Sequence, residues 1–178
     1  STTNVAVSGS LALSATSQAP GILPSTGAIT FGIISTIGSG SATINPSNGL
    51  ITALAFGSIT ITATSAEDTN YNSAVTSTLI TISKGTPILS LTSTSTNLAV
   101  NGSATVTATT ILPGFATIVD TGGISYSILS TSGGASATIH VGTGVIVAVN
   151  SGSVTIQALQ ASDTNYNAVS TTLVINIG

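Results

Sequence analysis

Only six side chains in this 178-residue chain can carry charge or move a proton near neutral pH: Lys84, Glu67, Asp68, Asp120, Asp163 and His140. His140 is the one candidate general base. No carboxylate lies near it in sequence to orient its ring, so a solvated turn histidine is the favoured reading. Two-carboxylate chemistry needs paired acids facing one cleft. Glu67 and Asp68 are adjacent, and adjacent residues on a strand point to opposite faces. Cysteine is absent, which removes thiol catalysis, disulfides and thiolate metal sites. One lysine and no arginine cannot neutralise a phosphate backbone, so nucleic acid is excluded as a partner. No catalytic residue and no cofactor is expected.

One pattern could recruit a cation. Asp68-Thr69-Asn70-Tyr71-Asn72 recurs as Asp163-Thr164-Asn165-Tyr166-Asn167. Asp68, Asn70, Asp163 and Asn165 are therefore weak metal candidates, in the D-x-N-x-N spacing that begins an oxygen-ligand calcium loop. Such a loop next needs glycine, and Ser73 and Ala168 stand there instead. A single formal charge also recruits a dication poorly. The preferred reading is structural: the Asp and Asn side chains bond the backbone of a turn. Tyr71 and Tyr166 are then expected to lie over the edge of the fold, with their hydroxyls bonded to backbone or water.

That pattern is part of a longer repeat. Residues 41–82 and 136–177 align without gaps at an offset of 95, and 21 of the 42 positions are identical. Residues 29–36 and 124–131 share the offset. Residues 4–16 and 97–109 match at an offset of 93, so a two-residue length difference falls in the segments 17–28 and 110–123. Two copies of one module follow, with expected bounds 1–83 and 84–178.

Each module reads as all-β. Ile59, Ile61 and Ala63 alternate with serine and threonine, and so do Val154, Ile156 and Ala158, with Gln157 among them. This period of two puts one face in a core and the other in water. Leu11, Leu13 and Ala15 extend the pattern to an early strand. Glycines interrupt every longer apolar stretch, and Asn48-Gly49 suits a hairpin turn. About seven strands per module suggests a two-sheet sandwich. Core positions are expected at Leu13, Phe31, Ile59, Ile61 and Ile80, and at Val106, Tyr126, Val154, Ile156 and Ile175.

The succession Gly-x-Ile-x-Ala (49–53 and 144–148), Gly-Ser-Ile/Val-Thr-Ile (57–61 and 152–156) and Asp-Thr-Asn-Tyr-Asn resembles bacterial immunoglobulin-like (Big) repeats of extracellular surface proteins. The likeness runs over nearly the whole chain, twice. It implies two tandem Ig-like β-sandwich domains, an extracellular or cell-surface location, and a structural or adhesive role. Many such repeats carry a tryptophan on the third strand, where Phe31 and Tyr126 stand here.

The chain is nearly uncharged, with a net charge of −3, and 60 of its residues are serine or threonine. Like copies therefore repel each other weakly, so neighbouring copies or adjacent repeats are the expected partners. No apolar run reaches the roughly 18 residues of a membrane helix, so no membrane insertion is expected. No basic n-region and apolar core open the sequence, so no signal peptide is expected in it. Asn101-Gly102-Ser103 is the only N-x-S/T sequon, a candidate glycan site. The segments 18–27 and 111–123 differ most between copies and carry Ile22, Leu23, Phe115 and Ile118, which either cap their own sandwich ends, the favoured reading, or touch a neighbouring domain or subunit. The leading reading is a non-enzymatic structural or adhesive segment of a surface protein or filament. The alternative is a carbohydrate- or protein-binding module acting through its strand-connecting loops.

Finally, the second module opens with Ile88-Leu89-Ser90-Leu91, suited to a first strand, and the first module has no counterpart. A longer tandem chain or another copy would have to supply that strand by β-strand addition. The vacancy is expected beside Val5–Val7 and the last strand of the first module.

Overall fold

In the computed structural model, residues 3–18, 27–112 and 122–178 are described. Within them the elements are all strands: β1 (Asn4–Ala6), β2 (Ser10–Ala12), β3 (Ile29–Ile37), β4 (Ser41–Ile44), β5 (Leu50–Ala55), β6 (Gly57–Ser65) and β7 (Ala74–Ser83), followed by β8 (Ile88–Ser93), β9 (Asn97–Leu98), β10 (Ser103–Ile111), β11 (Ile124–Ser132), β12 (Ser136–Ile139), β13 (Val145–Asn150), β14 (Gly152–Gln160) and β15 (Val169–Ile177). The chain divides into two compact units, Ser1–Gly85 and Thr86–Gly178. Lys84 and Gly85, placed at the head of the second module by the sequence repeat, go with the first unit. The repeat locates homologous positions, whereas the division follows where the chain packs.

The second unit contains two four-stranded sheets, in the orders β11-β14-β15-β9 and β12-β13-β10-β8. Leu89, Val106, Ile146 and Ala148 from one sheet form a single buried cluster with Leu98, Tyr126, Val154, Ile156 and Ile175 from the other. The period of two explains this: alternate residues of facing strands enter one shared core. The chain is thus all-β, two tandem Ig-like β-sandwiches.

Among the described residues, the first unit repeats this plan with one strand fewer. Its sheets are β1-β7-β6-β3 and the three-stranded β2-β5-β4. Shared irregularities confirm the alignment. β3 and β6 slip register between Ile33 and Ser35, and β11 and β14 slip between Ile128 and Ser130. The hairpins β4–β5 and β12–β13 both slip at their first pair, Ser41/Ala42 and Ser136/Ala137. Gly57 and Gly152, with φ of 145° and 130°, turn the chain between consecutive strands. A Cβ at Gly152 would sit 2.3 Å from the Ser132 carbonyl oxygen, so only glycine fits there.

The expected core is complete in the second unit, where Val106, Tyr126, Val154, Ile156 and Ile175 are all buried. In the first unit Ile59, Ile61 and Ile80 are buried, but Leu13 and Phe31 are only half-buried. The early strand also stops short of the expected Leu11–Leu13–Ala15 alternation. β2 ends at Ala12, and residues 13–17 lie outside any strand. Their counterparts, 106–110, belong to the nine-residue β10. The cause is the missing neighbour: β10 is held over Val106–Ile111 by antiparallel pairing with β8. Among the described residues of the first unit, none stands where β8 stands, and a ladder with one side open loses the cooperative bonds that define a strand.

Candidate functional site

The candidate chemical groups are engaged in turn geometry. Between β6 and β7, Asp68 Oδ1 accepts the N–H groups of Asn70 at 2.8 Å and Tyr71 at 2.9 Å, while the Asp68 N–H donates to the Tyr71 carbonyl at 2.9 Å. Between β14 and β15, Asp163 Oδ1 accepts from Asn165 and Tyr166, both at 2.7 Å. Each aspartate closes its own turn with a lone pair that a cation would otherwise use. Asn70 is exposed and Asn165 half-buried. Among the described residues, no three His, Asp or Glu side chains converge on a point. The two tyrosines diverge: Tyr71 is 39% exposed, whereas Tyr166 is half-buried.

His140 sits in the β12–β13 hairpin. Its Nδ1 accepts the N–H groups of Thr143 at 3.2 Å and Gly142 at 3.3 Å. Its counterpart Asn45 does the same work, its Oδ1 accepting the Ser47 N–H at 2.9 Å. The histidine is an acceptor that shapes a turn, and the exchange with asparagine follows from that shared role.

Asn101 is exposed in the turn between β9 and β10, in the left-handed region at φ 65°. Asparagine tolerates this conformation better than most residues. Ile22, Leu23, Phe115 and Ile118 lie outside the described residues, as does Asp120.

The feature that distinguishes the two units is a groove. In the first unit, Leu13, Ala15, Phe31, Ile61, Ala63 and Thr78 line a cavity of about 180 Å³ open to solvent. A second cavity, about 190 Å³, continues it past Ser17, Ile29, Ser65 and Val75. Ala15, Ala63 and Thr76 border both. The counterpart positions in the second unit are closed: Val106, Ile156 and Ala158 have no exposed surface, and Leu89 from β8 joins their cluster. Leu91 packs against that cluster with Ala108, Ile124 and Leu173.

The vacancy is not beside Val5–Val7, as the sequence suggested. β1 is paired in parallel with β7, Val5 opposite Ile82, and Val5 and Val7 are buried. The opening runs instead along residues 13–17, with Thr76 and Thr78 of β7 on its far wall. A two-sheet fold allows this: β1 completes one sheet, while the absent strand belongs to the other. Sequence reading also did not single out Ser17, Thr76 or Thr78. For Ser17 the signal was present, since its counterpart Thr110 pairs with Leu89 of β8 in the second copy.

Tyr126 adds a contrast. Its hydroxyl oxygen accepts the Ala108 N–H at 2.9 Å, tying the second-unit sheets together. Phe31 occupies the same position with no hydroxyl to offer, so this cross-sheet tie cannot form at Ala15.

No family model matches the chain, and no curated relative matches it in sequence. Solved structures match over almost its full length. A protocadherin gammaB4 extracellular domain is 15% identical, with a TM-score of 0.36, over 98% of this chain and 32% of that one. Mouse cadherin-23 EC22-24 is 18% identical at a TM-score of 0.34, over 98% and 62%. Domains 4 and 5 of the S-layer protein SbsC are 16% identical at 0.33, over 95% and 82%. The chain spans less than two thirds of the first two. Among the described residues, no helix is long and apolar enough to cross a membrane.

Proposed function

We propose that this chain is a non-enzymatic structural or adhesive segment of an extracellular surface protein or filament, built of Big-like repeats that associate with neighbouring repeats or copies. The observation that carries this reading is the fate of the chemical groups. Asp68, Asp163 and His140 each hold the backbone of their own turn, in matching places of two duplicated sandwiches. Residues so used serve folding, and duplication of a whole sandwich extends a chain without adding a reacting centre. The hydroxyl-rich, nearly uncharged surface suits close association, since copies repel weakly. Exposed Asn101 offers a place for a glycan that would offset the resulting tendency to aggregate.

Single-molecule stretching tests the mechanical role. Each unit should resist extension and then release its 85 or 93 residues in one step. At up to about 3.3–3.6 Å per residue, that is about 300 Å of chain per event. Extension at negligible force, without discrete events, would defeat the reading. So would a hydrolytic activity abolished by His140→Ala.

A further inference from the structure

We infer that the groove of the first unit is the seat of a β-strand of the Ile88–Ser93 type, run on from the last strand of a neighbouring repeat of the same kind. This rests on the repeat-array reading above and names the contact through which repeats join.

The second unit shows what such an occupant must be. β8 lies antiparallel to β10, with Leu91 opposite Ala108 and Leu89 opposite Thr110. Leu89 is buried and Leu91 half-buried, while Ser90 between them and Thr92 after them are exposed. Shifted by the repeat offset, Leu91 would stand over Ala15 and Leu89 over Ser17. Those are the positions of the two cavities: Ala15 borders both, and Ser17 lines the second. Each cavity is of the order of the 150 Å³ void that accepts a benzene-sized apolar group. Two adjoining hollows therefore match two leucines spaced two residues apart, the spacing of one face of a strand.

The backbone agrees. The Leu13 N–H donates to the Gly49 carbonyl at 3.0 Å, as Val106 donates to Gly144 at 2.9 Å. Alternation along the chain then turns the backbone of Ser14 and Thr16 toward the open side, as Thr107 and Thr109 turn toward β8. Among the described residues the groove walls carry no charged side chain, so an uncharged strand fits them.

A second copy of these 178 residues is a poor donor. It has two such seats and one β8, so giving up Ile88–Ser93 fills one groove by opening another. β15 is already paired with β14 and β9. Within the chain, β7 runs through Lys84–Pro87 into β8, so the run-on of one repeat supplies the first strand of the next. The same connection from a neighbouring repeat satisfies the first-unit groove without emptying another.

The test uses the full chain and a synthetic peptide of residues 86–95, with two lysines appended for solubility. Hydrogen exchange is followed by mass spectrometry over segments 12–18 and 74–79. At a peptide concentration about a hundredfold above its Kd, opening of these segments should slow about 100-fold. A peptide carrying Leu89→Asp and Leu91→Asp should give no protection. Fusing the same segment ahead of Ser1 should protect 12–18 without added peptide and leave 103–111 unchanged. The inference is overturned if the peptide protects nothing, if it protects only the second unit, or if 12–18 already exchanges slowly in the free chain. Concentration-dependent self-association that protects 12–18 would assign the seat to a second copy and overturn it too. None of these outcomes bears on the stretching experiment, which stands or falls on the folded units alone.

Discussion

Ile61 and Ile156 hold the same place in the two sandwiches, and truncating each to alanine should give unequal losses. Both side chains are almost wholly buried, at 1% and 0% exposure. Removing three carbons forfeits about 2.4 kcal/mol of transfer free energy, at about 0.8 kcal/mol per methylene. In a closed core a residual cavity adds to this, and such truncations reach about 5 kcal/mol. Ile156 sits in the closed cluster beneath β8, so Ile156→Ala should destabilise the second unit by about 4 kcal/mol. Ile61 already borders an open cavity, where water or neighbouring side chains can enter the space vacated. Its cavity contribution should largely vanish, leaving Ile61→Ala at about 2.5 kcal/mol. The assay is urea-dependent hydrogen exchange read separately over β6 and β14, which reports each unit within the intact chain. Equal losses, or a larger loss for Ile61→Ala, would refute the claim that the first core is open.

Asp68→Ala and Asp163→Ala should each destabilise their unit by about 1–2 kcal/mol, because each leaves two backbone N–H donors without their carboxylate. EDTA should leave the Tm of the wild type unchanged, and a Ca²⁺-induced rise in Tm abolished by the double variant would show a metal site instead. His140→Asn should be close to neutral in thermal unfolding, since Asn45 performs the same task. His140→Ala should lose about 1 kcal/mol through the lost acceptor. Tyr126→Phe should lose about 0.5–1.5 kcal/mol in chemical denaturation and speed exchange of the Ala108 amide, converting the second unit to the Phe31 arrangement. An unchanged Ala108 exchange rate would show that the cross-sheet bond carries no weight.

The all-β class, the tandem architecture and the matching turns could be read from the chain itself. Period-two alternation at Ile59–Ala63 and Val154–Ala158 fixes which side chains face inward, because successive strand residues point to opposite faces. Gly57, Gly152 and Asn48-Gly49 mark the turns for an equally local reason, the backbone angles they allow. The repeat offset carried those assignments from one copy to the other, including the pairing of His140 with Asn45. What remained hidden depends on contacts between residues far apart in sequence. Leu13 and Phe31 have the same local pattern as Val106 and Tyr126, yet they are half-buried because burial needs a partner strand. For the same reason residues 13–17 do not form the strand their alternation predicts. The sequence showed that a strand lacked its counterpart, and it suggested the edge beside Val5–Val7. Only the assembled sheets decided that β1 closes that edge on β7 while the opening falls along residues 13–17, since sheet membership is set by long-range hydrogen bonding that no local pattern encodes.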